Sequence, residues 1–121
     1  MHKDWAAMTN QLTAAIKEVR TSTPAVMKSF SALAQAAMQG NSLELKTKEL
    51  IALAIAVATR CDGCIAFHSE AAVKAGANRD ELMETMGMAI YMGAGPSLMY
   101  AAQAVEAYDQ FADNRPQPVH G

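Results

Sequence analysis

The nine residues from Leu50 to Ala58 are apolar without interruption and read Leu-Ile-Ala-Leu-Ala-Ile-Ala-Val-Ala. Periodicity alone cannot separate a buried helix from a buried strand in such a run. The four interleaved alanines and the length of the run favour a helix, because alanine has the highest helix propensity of any residue. A helix that is apolar nearly all round belongs at the centre of a domain. It falls well short of the roughly 20 residues needed to cross a bilayer.

The flanking sequence supplies partners of the same kind. Trp5, Met8, Leu12, Ile16 and Val19 recur at spacings of three and four, one face of an amphipathic helix. Thr23 and Pro24 open a second helix with the stripe Val26, Met27, Phe30, Leu33, Ala34 and Ala37, and Gly40 ends it. The third helix starts near Ser42 or Thr47. A break at Arg60 to Gly63 leads to a fourth, stopped by Gly76. Asn78 caps a fifth that runs to about Met92. Gly93-Ala94-Gly95-Pro96 is a turn from which Pro96 opens a sixth, ending near Phe111. Strand signals and internal repeats are absent. The expected fold is all-α, about six helices in one domain over residues 1–121, with a flexible tail over 113–121.

Charged residues make up 18% of the 121 and the net charge is −2. No basic run marks a nucleic-acid footprint. No secretory leader or membrane span is visible, so the chain reads as cytoplasmic. Few charges together with nine methionines point to surface hidden in a homo-oligomer.

The two cysteines, Cys61 and Cys64, stand in the run Cys61-Asp62-Gly63-Cys64-Ile65-Ala66-Phe67-His68. A bridge across two residues closes almost no loop and would stabilise the fold by roughly 2 kcal/mol at best. In a reducing compartment such a pair suits redox or metal chemistry better than stapling. Spacings of three and four put Cys61, Cys64 and His68 in one column if the fourth helix begins near Cys61. Its N-terminal dipole would then stabilise a thiolate. The dipole favours Cys61 as nucleophile, whereas the reach of His68 favours Cys64.

Glu49 has the apolar helical neighbours Leu53 and Ala56, which suits partial burial. If the third and fourth helices form an antiparallel hairpin, Glu49 lies within roughly 6 Å of His68 along the axis, four residues at 1.5 Å rise. A carboxylate there would orient the imidazole. Glu49 could equally serve only the helix N-terminus, and a lone histidine is usually solvated or bonded to a carbonyl. The Met83, Met86, Met88 and Met92 cluster suits packing, and His2 and His120 lie in the termini. Zinc would find three ligands in the Cys-x2-Cys-x3-His run, and a structural site takes four. Covalent haem attachment needs histidine directly after the second cysteine, where Ile65 stands.

The stretch Lys46 to Ala54, followed by Cys61-Asp62-Gly63-Cys64-Ile65, His68 and Gly76-Ala77, resembles the alkylhydroperoxidase D-like branch of the carboxymuconolactone decarboxylase family. The resemblance extends to Gly93-Ala94-Gly95-Pro96 and covers about residues 25–110. It implies a helical fold that assembles as a homotrimer or homohexamer, and a thiol peroxidase or disulfide reductase activity without a cofactor. It implies that Cys64 attacks the peroxide, that Cys61 closes a disulfide with it, and that His68 and Glu49 relay protons. An external dithiol, of lipoyl or thioredoxin type, would reduce the bridge. Larger members carry a relay histidine where Gly63 stands and have two related halves, where this chain has one. Decarboxylases of the family generally lack the cysteine pair.

The expected function is reduction of hydroperoxides through a Cys61–Cys64 couple, with an apolar lining from Ile65, Phe67 and the methionines. Two rivals stand beside it: an acid–base enzyme of the decarboxylase kind with idle cysteines, and a redox-responsive or metal-binding module.

Overall fold

In the computed structural model, which describes residues 2–114, the chain forms α1 (Trp5–Ser22), α2 (Pro24–Met38), α3 (Leu45–Ala58), α4 (Asp62–Lys74) and α5 (Arg79–Asp113), and no strand lies among the described residues. The expected flexible tail lies, from residue 115 on, outside the described residues.

Local chemistry sets most of the helix ends. Asp4 caps α1 by accepting from Ala7 N–H, and Asn78 and Glu81 form a reciprocal capping box at the start of α5. Pro24 occupies the first turn of α2. Thr23 precedes it without a side-chain cap, because its hydroxyl donates to Val19 O at 2.8 Å. Neither Ser42 nor Thr47 caps α3; Glu44 stands at that boundary, again without a side-chain bond. Instead Lys48 Nζ donates to Ala37 O and Gln39 O, which satisfies carbonyls at the end of α2.

α3 and α4 end in the same motif. Gly76, with φ +89°, follows α4, with Gly76 N–H donating to Val73 O and Ala77 N–H to Ala72 O. After α3 the left-handed position falls on Arg60, with φ 57°, while Arg60 N–H donates to Val57 O and Cys61 N–H to Ala56 O. This paired closure leads directly into α4 and seats Cys61.

The expected fifth and sixth helices form one element, α5, broken at Ala94 (φ 56°, ψ −142°). Pro96 has no N–H to bond back across the break. Gly93 is required there: a Cβ on it would overlap the hydroxyl of Ser97, which is buried.

α3, α4 and α5 pack on one another, α1 lies against α4 and α5, and α2 packs on α1. Trp5, Leu53, Val57, Ile65 and Leu82 are fully buried at the centre. α3 is central, as its composition predicts, but it is buried on one side only: Ile51 and Ile55 face out. α2 buries none of its residues, and Val26, Phe30 and Leu33 are all more than 60% exposed. On α1, Trp5 is buried as expected, Thr9 is buried in addition, and Val19 is exposed. No helix among the described residues is long and apolar enough to cross a membrane.

Candidate redox site on α3 and α4

Cys61 is the N-cap of α4, in an extended conformation, and its Sγ accepts from Cys64 N–H at 3.2 Å. Cys61 and Cys64 are joined as a disulfide with their Cα atoms 5.2 Å apart. The bridge therefore spans the first turn of α4, where free N–H groups and the helix dipole favour negative charge.

One turn further on, His68 Nδ1 lies 2.8 Å from Glu49 Oε2. Glu49 comes from the first turns of α3 and is buried, whereas the His68 side chain is about a third exposed. α3 and α4 run antiparallel through a tight link, so a residue early in α3 comes level with the middle of α4. The carboxylate sits behind the ring, fixes its orientation and leaves Nε2 for other partners.

An open cleft of about 300 Å³ is bounded by Ala52, Ile55, Ala56, Thr59, Cys64 and His68. Cys64 and His68 form part of its wall, and Cys61 does not. Its apolar residues come from α3. Ile65, expected in the lining, is fully buried in the core instead, and Phe67 is not part of the wall. Met88 and Met92 line a neighbouring groove of about 260 Å³ that shares Ile55 with the cleft. The helical period explains the difference: Ile65 and Cys64 are adjacent in sequence and so point about 100° apart. Among the described residues, no three His, Cys, Asp or Glu side chains are grouped so as to hold a metal ion.

A model of the carboxymuconolactone decarboxylase family matches residues 24–107. The chain belongs to that family. It is similar to a crystal structure of an apo carboxymuconolactone decarboxylase family protein from Legionella pneumophila. The two are 53% identical with a TM-score of 0.87, and the match covers 89% of this chain and 96% of that one. It is also 43% identical over 108 residues to an uncharacterized protein of Haemophilus influenzae, covering 89% of this chain and 96% of the other. An uncharacterized protein of Cupriavidus necator is 43% identical over 86 residues, 71% of this chain and 76% of its own.

Within this carboxymuconolactone decarboxylase family chain, Gly63 lies beside the Leu12 side chain of α1. A Cβ there would lie 3.0 Å from Leu12 Cδ1, so α1 covers the position from which a side chain at 63 would project. Helix α1 precedes the matched region, and its packing on α4 takes up that space.

The residues around the N-terminal arm have no local sequence signal. Lys3 reaches Asp62, inside the Cys-x-x-Cys run, across 59 positions. Glu106 accepts from His2 N–H, Lys3 N–H and Trp5 Nε1–H at 2.7–2.9 Å, and Gln110 bonds both Trp5 N–H and Lys3 O. The one legible hint is the placement of Glu106 and Gln110 four apart on one face of α5.

Proposed function

We propose that the chain is a thiol-dependent hydroperoxide reductase of the alkylhydroperoxidase D-like kind. The observation that carries this reading is that Cys64 and His68 open on one cleft while Glu49 backs the histidine at 2.8 Å. In the reduced protein His68 accepts the Cys64 proton. The thiolate sulfur attacks the terminal peroxide oxygen, the O–O bond breaks, and the alkoxide leaves as alcohol with the proton held on His68. Cys64 is then a sulfenic acid. Cys61 attacks its sulfur, water leaves, and the disulfide forms. An external dithiol, of lipoyl or thioredoxin type, exchanges with the bridge and restores two thiols as it becomes a disulfide. Exclusion of Cys61 from the cleft wall supports Cys64 as the attacking residue.

A cytoplasmic setting suits this cycle, because it supplies the reductant. A second copy of the chain suits the exposed apolar face of Val26, Phe30 and Leu33, in a trimer or hexamer. The Glu49–His68 pair would also serve an acid–base reaction of the decarboxylase kind with idle cysteines.

Thiol counting separates the two. Reduced protein given one equivalent of an organic hydroperoxide should lose two thiols per chain and consume one peroxide. Cys64→Ser should abolish that loss. His68→Ala should slow it by about 10²-fold, the low end for a positioned proton acceptor, and Glu49→Ala, which only orients that acceptor, by less. Wild-type peroxide consumption in Cys64→Ser would refute the proposal, and an activity that survives loss of both cysteines would select the acid–base reading.

A further inference from the structure

One charged group beside the cysteines has no part in that cycle. Asp62 follows Cys61 directly and occupies the first helical position of α4. There its carboxylate draws on the same dipole and unpaired N–H groups that would stabilise a thiolate. Left alone, a negative charge next to Cys61 would oppose a second one. Asp62 is not alone. Lys3 Nζ lies 2.5 Å from Asp62 Oδ2 and 2.6 Å from Gln103 Oε1, and it sits 5.4 Å above the Trp5 ring. The backbone on either side of that ammonium is tied down by Glu106 and Gln110. A long, flexible side chain is thus anchored at both ends across the mouth of α4. Residue 3 lies outside the stretch matched by the family model.

We propose that Lys3 is a positioning residue for the Cys61–Cys64 couple. By neutralising Asp62 it leaves the N-terminal field of α4 to the cysteine sulfur, which makes the reduced pair more acidic and its disulfide easier to reduce. The inference rests on the cysteines acting as a redox couple. The other charged groups near α4's start are already engaged or lie beside it: Glu49 on His68, Glu106 on the arm, Asp4 as the cap of α1, and Arg60 in the link before Cys61.

The test uses the full chain in four variants: Lys3→Met, Lys3→Arg, Asp62→Asn and the double Lys3→Met/Asp62→Asn. Two readouts need no peroxide. One is the pH midpoint of iodoacetamide alkylation of the reduced protein. The other is the equilibrium at neutral pH with dithiothreitol, in which the protein disulfide gains two electrons and two protons as dithiothreitol closes to its cyclic disulfide. Lys3→Met should raise the alkylation midpoint by about half a unit, roughly threefold less thiolate below it, and shift the equilibrium the same way toward the protein disulfide. Asp62→Asn should lower the midpoint. Lys3→Arg should match wild type, and the double variant should return to it, because the net local charge is restored. An unchanged midpoint in Lys3→Met overturns the proposal, including when the variant melts earlier, since Lys3 would then only hold the arm. A double variant displaced as far as Lys3→Met overturns it as well. A protein that consumes no peroxide but shows these shifts would refute the peroxidase reading and leave this one standing.

Discussion

Replacing Glu106 with alanine should release the N-terminal arm while leaving the α3–α4–α5 core intact. The carboxylate accepts three N–H bonds from the arm, at 2.8 Å from His2, 2.7 Å from Lys3 and 2.9 Å from the Trp5 indole. The bond from His2 is exposed, and water replaces it at little cost. The other two are partly buried and made to an ionised acceptor. At the low end for bonds to a charged group, about 1.5 kcal/mol each, they sum to about 3 kcal/mol. For a domain of this size, at about 4 °C per kcal/mol, that is a drop of about 12 °C in thermal midpoint. Glu106→Gln should recover part of it, because Oε1 alone accepts both partly buried bonds and an amide oxygen can take that place, leaving the amide NH2 to face only the exposed His2 N–H.

Trp5 is the single tryptophan and is fully buried, so its fluorescence reports the arm directly: emission should shift to the red in Glu106→Ala and less in Glu106→Gln. The effect carries a pH signature. Burial works against the charged form of Glu106, but the N–H groups of His2, Lys3 and Trp5 outweigh it and hold the carboxyl below the ordinary 4.5. A lowered folded value means that the contribution is whole above about pH 4.5 and is lost as pH falls through that lower value. The gap between wild type and Glu106→Ala should therefore close in acid. A thermal midpoint within about 2 °C of wild type at neutral pH, with unshifted emission, would refute the clamp.

Three further outcomes are expected. Gly93→Ala should cost about 1–3 kcal/mol in denaturant unfolding, because the new methyl overlaps the buried Ser97 hydroxyl at the break in α5; a neutral result would mean the break relaxes freely. Ser69, fully buried on α4, has a hydroxyl with no hydrogen-bond partner among the described residues, so Ser69→Ala should be neutral or stabilising by up to about 1 kcal/mol; a loss larger than that would reveal a partner. Phe30→Asp combined with Leu33→Asp should leave helix content by circular dichroism unchanged, since both side chains are more than 60% exposed within one chain. If the chain self-assembles through this face as proposed, the same variant should reduce the mass measured by light scattering to that of a monomer; an unchanged mass would exclude this face from self-assembly.

Helix identity was legible wherever a local signal existed. The capping box at Asn78 and Glu81, Pro24 in the first turn of α2, Gly76 after α4 and the alanine-rich run of α3 all act through residues within one or two turns of each other. The alignment of Cys61, Cys64 and His68 on α4 follows from the same short-range geometry. So does the break at Gly93 to Pro96, although the chain continues there as one element rather than as two helices separated by a turn.

Which apolar stripes are buried was not legible. The stripes of α1 and α2 look equivalent in the sequence, yet Trp5 is fully buried and Phe30 is 61% exposed. A stripe states only that a face is apolar; its neighbours in space decide whether water leaves it. The wall of the cleft shows the same limit, since Ile65 faces the core and Ile55, of the same chemistry, faces out.

By itself, then, the sequence determined an all-helical chain with a Cys-x-x-Cys pair on the first turn of a helix and a histidine on the same face. Those features depend on propensity, caps and the 3.6-residue period, which act over a few residues. The tertiary structure decided that Glu49 backs His68, that α1 fills the space beside Gly63, and that Lys3 crosses 59 positions to Asp62. Each of these contacts joins elements whose relative placement is set by how side chains fill a shared core, and no local spacing encodes that.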